Sequence, residues 1–161
     1  MGFDSNIVAR TLSTSDTILC ASPAYITRHG TPRVPEDLAR HVCVLRRPAG
    51  IHRNSFGLWR ADQSLTEPPA HDIEVRAAIT INQTASILQM VLDGAGIATF
   101  TMDSARPFLN QGMLEHVLPD WITGRAKVLA AMPSRKHLPE RAKAFLDFVF
   151  AAHRAGLIDR C

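Results

Sequence analysis

Three cysteines in 161 residues, odd in number and scattered at Cys20, Cys43 and Cys161, do not make a disulfide framework. Cys20 and Cys43 fall in apolar, strand-like runs, where a thiol acts as a small buried hydrophobe. No apolar stretch approaches the roughly 20 residues that a membrane span needs. The opening residues Met1-Gly-Phe-Asp-Ser-Asn6 have neither the basic segment nor the apolar core of a secretory signal. The expected compartment is therefore the cytoplasm, with no membrane partner. Positive charge is thin as well. The balance is +3, and the densest basic spots, Arg46-Arg47 and Arg135-Lys136, are two residues long. A nucleic-acid face wants a stripe of charge or stacked aromatics, so these residues are not expected to bind DNA unaided.

Catalytic and metal motifs are also missing. The seven histidines, His29, His41, His52, His71, His116, His137 and His153, include no His-x-x-x-His pair and no Cys-x-x-Cys companion. Most of them are expected on the surface near helix ends. No Gly-x-Ser-x-Gly elbow presents a serine nucleophile, and the carboxylates are dispersed. No catalytic residue, metal ligand or cofactor is assigned. Gly94-Ala95-Gly96 resembles part of a dinucleotide fingerprint, but it closes a helix and precedes a strand, the reverse of the required order. It reads as a tight turn.

What the chain does have is a packable core and clear punctuation. Its hydrophobic content of 46% suits one ordinary domain, or two small lobes of a hinged one. Asn6–Leu12 reads as a strand, and Leu12 to Asp16 as a polar connection. Asp16–Ala21 is an apolar run of strand length. Ser22 can cap a helix that Pro23 begins, and Gly30 can stop it. Pro35 starts a second helix whose first turn carries Glu36 and Asp37, matched to the positive end of the dipole. Ser55–Ala61 reads as one strand of a hairpin with a partner near Ser64 to Thr66, and Asp72–Ile81 as a strand that ends buried. Asn82 is a good cap for the amphipathic helix of Ala85, Leu88, Val91 and Leu92, which Gly94 ends. Ile97–Phe100 returns as a strand. Thr101 to Gln111 is helical but interrupted by Pro107. Met113 to Leu118 alternates, Lys127–Met132 is a buried strand, and Pro139 opens a last helix with Ala142, Phe145, Leu146, Val149 and Phe150 on one face. Alternating strands and helices predict an α/β fold, a mixed sheet with helices on both faces.

Three stretches carry a family resemblance. Cys20 to Leu45, headed by Ala-Ser-Pro-Ala-Tyr, resembles the effector-binding domain of LysR-type transcriptional regulators. Asn82 to Phe100, ending in Asp93-Gly-Ala-Gly-Ile-Ala-Thr-Phe, follows in the family's order. So does Met113-Leu-Glu-His-Val-Leu-Pro-Asp-Trp121 through Met132–Phe148. Together they cover most of residues 7 to 155. The resemblance implies the two-lobed, periplasmic-binding-protein-like (type 2) fold. Residues 1–12 would then end the first lobe and form its first crossover. Residues 13–126 would form the second lobe, 127–132 the second crossover, and 133–161 a helix returning to the first lobe.

The family begins with a winged helix-turn-helix and a first lobe, which this sequence does not contain; a truncated product is the expectation. DNA would be reached only through that missing domain. The last helix would lack the sheet it packs on, so self-association into a homodimer or higher homo-oligomer is expected. The resemblance also implies a small-molecule effector, for which helix N-termini suit an anionic or acidic metabolite. Asn82, Gln83 and Thr84 would line one wall of its cleft, and Leu12 and Thr14 the opposite wall. The rival readings are a modulator module that pairs without ligand, and a small-molecule enzyme.

Overall fold

The structure, a computed structural model, describes residues 7–46, 54–133 and 140–154. Strand β1 (Ile7–Ala21) is 15 residues long and unbroken. The polar connection expected over Leu12–Asp16 is therefore extended chain. The serines and threonines there sit readily in a strand whose backbone groups are paired: β1 pairs with β9 (Gly124–Pro133), β6 (Ala98–Thr101) and β7 (Glu115–Val117). Two compact units result, Ser15–Ala126 and a second made of Met1–Thr14 with Lys127–Cys161.

In the larger unit β1 lies between β6 and β7, antiparallel to both, so Leu19 faces Thr99 on one side and Val117 on the other. Strand β2 (Val42–Arg46) runs parallel to β5 (Arg76–Ile81). A parallel bridge between Cys43 and Ile97 joins this pair to the rest. There Val44 N–H donates to the Ile97 carbonyl and Ile97 N–H to the Val42 carbonyl, each at 2.9 Å. The strand order is thus β5-β2-β6-β1-β7, a mixed sheet as expected.

Strand alternation divides the apolar residues between two faces. Leu19, Ala21, Cys43, Leu45 and Ile97 pack on one side, against Tyr25 of α1 (Pro23–His29) and Leu38 of the 3-10 helix Pro35–Arg40. Phe56 and Leu58 of β3 (Ser55–Arg60) close the same cluster. Ile18, Cys20, Val44, Ala98 and Phe100 point the other way, onto Ile87 and Val91 of α2 (Thr84–Leu92) and Ala105 of α3 (Met102–Asn110). Helices therefore cover both faces.

The caps at Ser22 and Pro35 form as the sequence suggests. Ser22 Oγ accepts from Tyr25 N–H at 3.4 Å. The Asp37 carboxylate accepts from the backbone N–H groups of Arg33 and Val34 at 2.9 and 3.2 Å, which holds it below the usual carboxylate range.

Other local expectations are corrected. β3 pairs with β4 (His71–Glu74) and β8 (Trp121–Ile122), not with Ser64–Thr66. Ser64 and Thr66 hydrogen-bond each other at 2.8 Å within a turn, pinned where Trp59 Nε1 donates to the Glu67 carbonyl. The strand expected over Asp72–Ile81 breaks at Val75, whose N–H makes the last bond of the β3–β4 register, to the Asn54 carbonyl at 2.8 Å, before Arg76 pairs with Val42 of β2. α3 continues through Pro107. Asn82 does not cap α2: Gln83 holds that position, and no side chain bonds to the helix start. In α4 (Glu140–Arg154) the exposed apolar groups are Phe145 and Phe148, at 65% and 68%, whereas Leu146, Val149 and Phe150 are half-buried. Arg47, His52, Arg135-Lys136, His137, Pro139 and Cys161 lie outside the described residues.

Candidate functional site

The face of the sheet that packs under β3 changes character along its length. Toward Ala21 it is apolar and fully buried, with Leu19, Cys43 and Ile97 all at 0% exposure. Toward the other end the same face presents Thr17, two residues before Leu19, and Thr99, two after Ile97. Here β3 and the sheet part to leave a half-open cavity of about 480 Å³. Thr17, Thr99 and Thr123 line it from the sheet and its adjoining turn, and Ser55, Gly57 and Trp59 from β3. Leu45 and Arg46, at the end of β2, add to that wall, and the Asp72 carboxylate, engaged in an interaction of its own, also lines the cavity. Gly57 is tight against the Trp59 ring: a Cβ there would come within 3.0 Å of it.

Thr123 is committed, since its N–H and its hydroxyl both donate to the Thr17 carbonyl, at 2.8 and 3.2 Å. The hydroxyls of Thr17, Thr99 and Ser55 have no hydrogen-bond partner among the described residues, and none is sealed from solvent. Arg46 is exposed and makes no ion pair among the described residues. Register pairs Arg46 with Ile81, so Asn82, Gln83 and Thr84 follow immediately beside it at the start of α2. All three are exposed, and none lines the cavity. The neighbouring α3 differs, because Ser15 Oγ accepts from Asp103 N–H in its first turn at 3.3 Å. Leu12, half-buried, and Thr14, exposed, lie on the part of β1 that belongs to the other unit.

Thr17 and Thr99 were missed because each sits inside an apolar run that reads as core. The available signal was a hydroxyl two residues beyond a buried aliphatic on the same face. Arg46 was visible only as one of a pair of surface charges.

The remaining polar groups of this unit are structural. Cys20 and Cys43 are fully buried, and burial pushes both thiols up to about 12. His41, unlike the surface position expected for most of the histidines, is only 8% exposed and packs against the Tyr25 hydroxyl. That hydroxyl accepts from Val42 N–H at 2.9 Å and meets His41 Nδ1 at 3.1 Å. Burial, then the neighbouring His29 and Arg40, lower the His41 pKa from its ordinary 6.5, with Asp37 opposing. His116 is lowered by burial too.

Both shifts have one sign. The stability these histidines confer is complete above the unfolded value of 6.5 and is lost as pH falls through the lower folded value. Urea midpoints measured downward from pH 7 should fall below about pH 6.5, and His41→Gln should flatten that slope. Among the described residues no three histidine, cysteine or acidic side chains gather as metal ligands. No helix among them is long and apolar enough to cross a membrane.

A mixed sheet covered on both faces, with a hydroxyl-lined cavity and a cation unpaired among the described residues at one strand end, is the architecture of one lobe of an α/β domain. The chain belongs to the LysR substrate-binding domain family, whose model matches residues 3–154. It is 32% identical to the uncharacterized HTH-type transcriptional regulator YcaN of Escherichia coli, a match covering 92% of this chain and 50% of that one. The regulatory domain of AphB from Vibrio vulnificus superposes with a TM-score of 0.74 at 25% identity, covering 93% of this chain and 71% of that one. The CrgA regulatory domain, a LysR-type regulator from Neisseria meningitidis, gives 0.74 at 26% identity, covering 93% and 71%. The fold is accordingly the periplasmic-binding-protein-like type 2 fold, and the relatives are transcriptional regulators, not enzymes. The chain spans about half the length, or less, of the curated relatives it matches, 42% and 50% for the first two.

Proposed function

We propose that this effector-binding domain senses a small organic acid and passes its occupancy to a DNA-binding domain of the full-length regulator. The observation that carries the reading is Arg46, a cation with no acidic partner among the described residues, at the rim of a cavity holding three open hydroxyls. The uncapped start of α2 lies beside it, and free helix N–H groups favour negative charge. Asn82, Gln83 and Thr84 would contact the anion from that side. In the intact regulator Leu12 and Thr14 would meet it from the other.

On this view residues 13–126 are the second lobe, 1–12 and 127–132 the crossing segments, and 133–161 the helix returning to the first lobe. Ligand would favour the lobe arrangement in which it makes better contacts. Regulatory domains in a homo-oligomer would then re-pair and respace the DNA-reading helices. The exposed Phe145 and Phe148 support self-association, because burying each aromatic contributes about 1.5–3 kcal/mol.

A thermal-shift screen of organic acids and their neutral amides tests the site. At a hundredfold excess over its Kd a bound acid adds about 2.7 kcal/mol, which is roughly 5–10 °C for a chain of this size. At least one acid should reach that shift, its amide should not, and Arg46→Glu should abolish it. Equal stabilisation by acid and amide would sink the reading.

A further inference from the structure

Arg46 accounts for one charge, but the cavity behind it is furnished with hydroxyls. On the sheet face Thr17, Leu19 and Thr99 point the same way, since Leu19 and Thr99 are paired neighbours and Thr17 stands two residues from Leu19. On β3 the side chains of Ser55 and Trp59 alternate with those of Phe56 and Leu58, which are buried in the core. Ser55 lines the cavity together with Thr17 and Thr99. Gly57 stands between Ser55 and Trp59 with no side chain of its own.

A cavity meant for a plain aliphatic acid would continue the leucine and isoleucine surface found two residues deeper. This one replaces that surface with three half-buried hydroxyls, each able to donate and to accept, and none partnered by the described protein. We infer that Thr17, Ser55 and Thr99 select a hydroxylated carboxylic acid, reading its hydroxyl groups while Arg46 holds its carboxylate. This rests on the acid-sensing function proposed above and names the class of acid. The physical basis is asymmetric. A ligand without hydroxyls would displace the water around three polar groups and return no hydrogen bond. Neutral hydroxyls in a half-open cavity give less discrimination than sealed ones, so a moderate preference is expected.

Gluconate and hexanoate, six-carbon acids of equal charge that differ in hydroxylation, are the probes. Calorimetric titration of the whole chain should show gluconate binding at least about tenfold tighter than hexanoate. Thr99→Val, which keeps shape and removes the hydroxyl, should weaken gluconate about tenfold and leave hexanoate unchanged or tighter. Ser55→Ala on the other wall should move the preference the same way, and it serves if Thr99→Val disturbs the sheet. Equal affinity for the two acids, or an unaltered preference in both variants, would overturn the hydroxyl assignment and leave acid sensing intact. Loss of binding by every acid tried, with no response to Arg46→Glu, would overturn both.

Discussion

Gly96→Ala should be among the most damaging single-methyl additions to this chain, lowering stability by about 3 kcal/mol in urea unfolding. Its Cβ would stand 2.5 Å from the Val42 carbonyl oxygen and 3.1 Å from the carbonyl carbon. Both are backbone atoms and cannot swing aside. That oxygen accepts from Ile97 N–H at 2.9 Å, one of the bonds that join β2 to β6. Relief of the clash therefore breaks a buried hydrogen bond, which itself costs about 1–3 kcal/mol. Gly30→Ala is the control. It meets no atom within 4 Å and carries only the strain of a φ of 82°, a cost of about 1–2 kcal/mol. Equal losses in the two variants would contradict the joined sheet.

Leu19→Ala should cost about 2–5 kcal/mol, the range for a large-to-small change in a packed core. Leu19 is fully buried in the central strand, flanked by Thr99 and Val117, and its cavity cannot be filled by collapse because both neighbours are held in backbone ladders. The matched comparison is Phe148→Ala, where a larger side chain is 68% exposed. At protein concentrations low enough to keep the chain monomeric, that change should alter stability by no more than about 0.5 kcal/mol. Chemical denaturation of the three proteins checks both values, and a Leu19→Ala midpoint close to the parent's would place the core elsewhere.

Fold class was legible because its signals are local. Ser22 and Pro23, Glu36 and Asp37 after Pro35, and the 3-and-4 spacing from Ala85 to Leu92 each act within a few residues of themselves. The alternation of Ile18 and Cys20 against Leu19 and Ala21 gives both faces of the central strand. Pairing choices were less legible. Nothing near Ser55–Arg60 says that its partners are His71–Glu74 and Trp121–Ile122, because those contacts close over long separations. The burial of His41 was illegible for the same reason. Its burial depends on a hydroxyl 16 residues earlier. The cavity was the least legible part: Thr17, Ser55 and Thr99 come from three strands, and only pairing reveals that they share a space.

Gln83 occupies the cap position of α2 without using it, and the first helical bond is the one from Ile87 N–H to its carbonyl at 3.2 Å. A serine or aspartate at this position would secure the helix start by about 1 kcal/mol. It would also occupy the donors left open for the anion proposed above. If the proposed site is used, selection for a sturdier lobe and selection for a responsive one pull residue 83 in opposite directions.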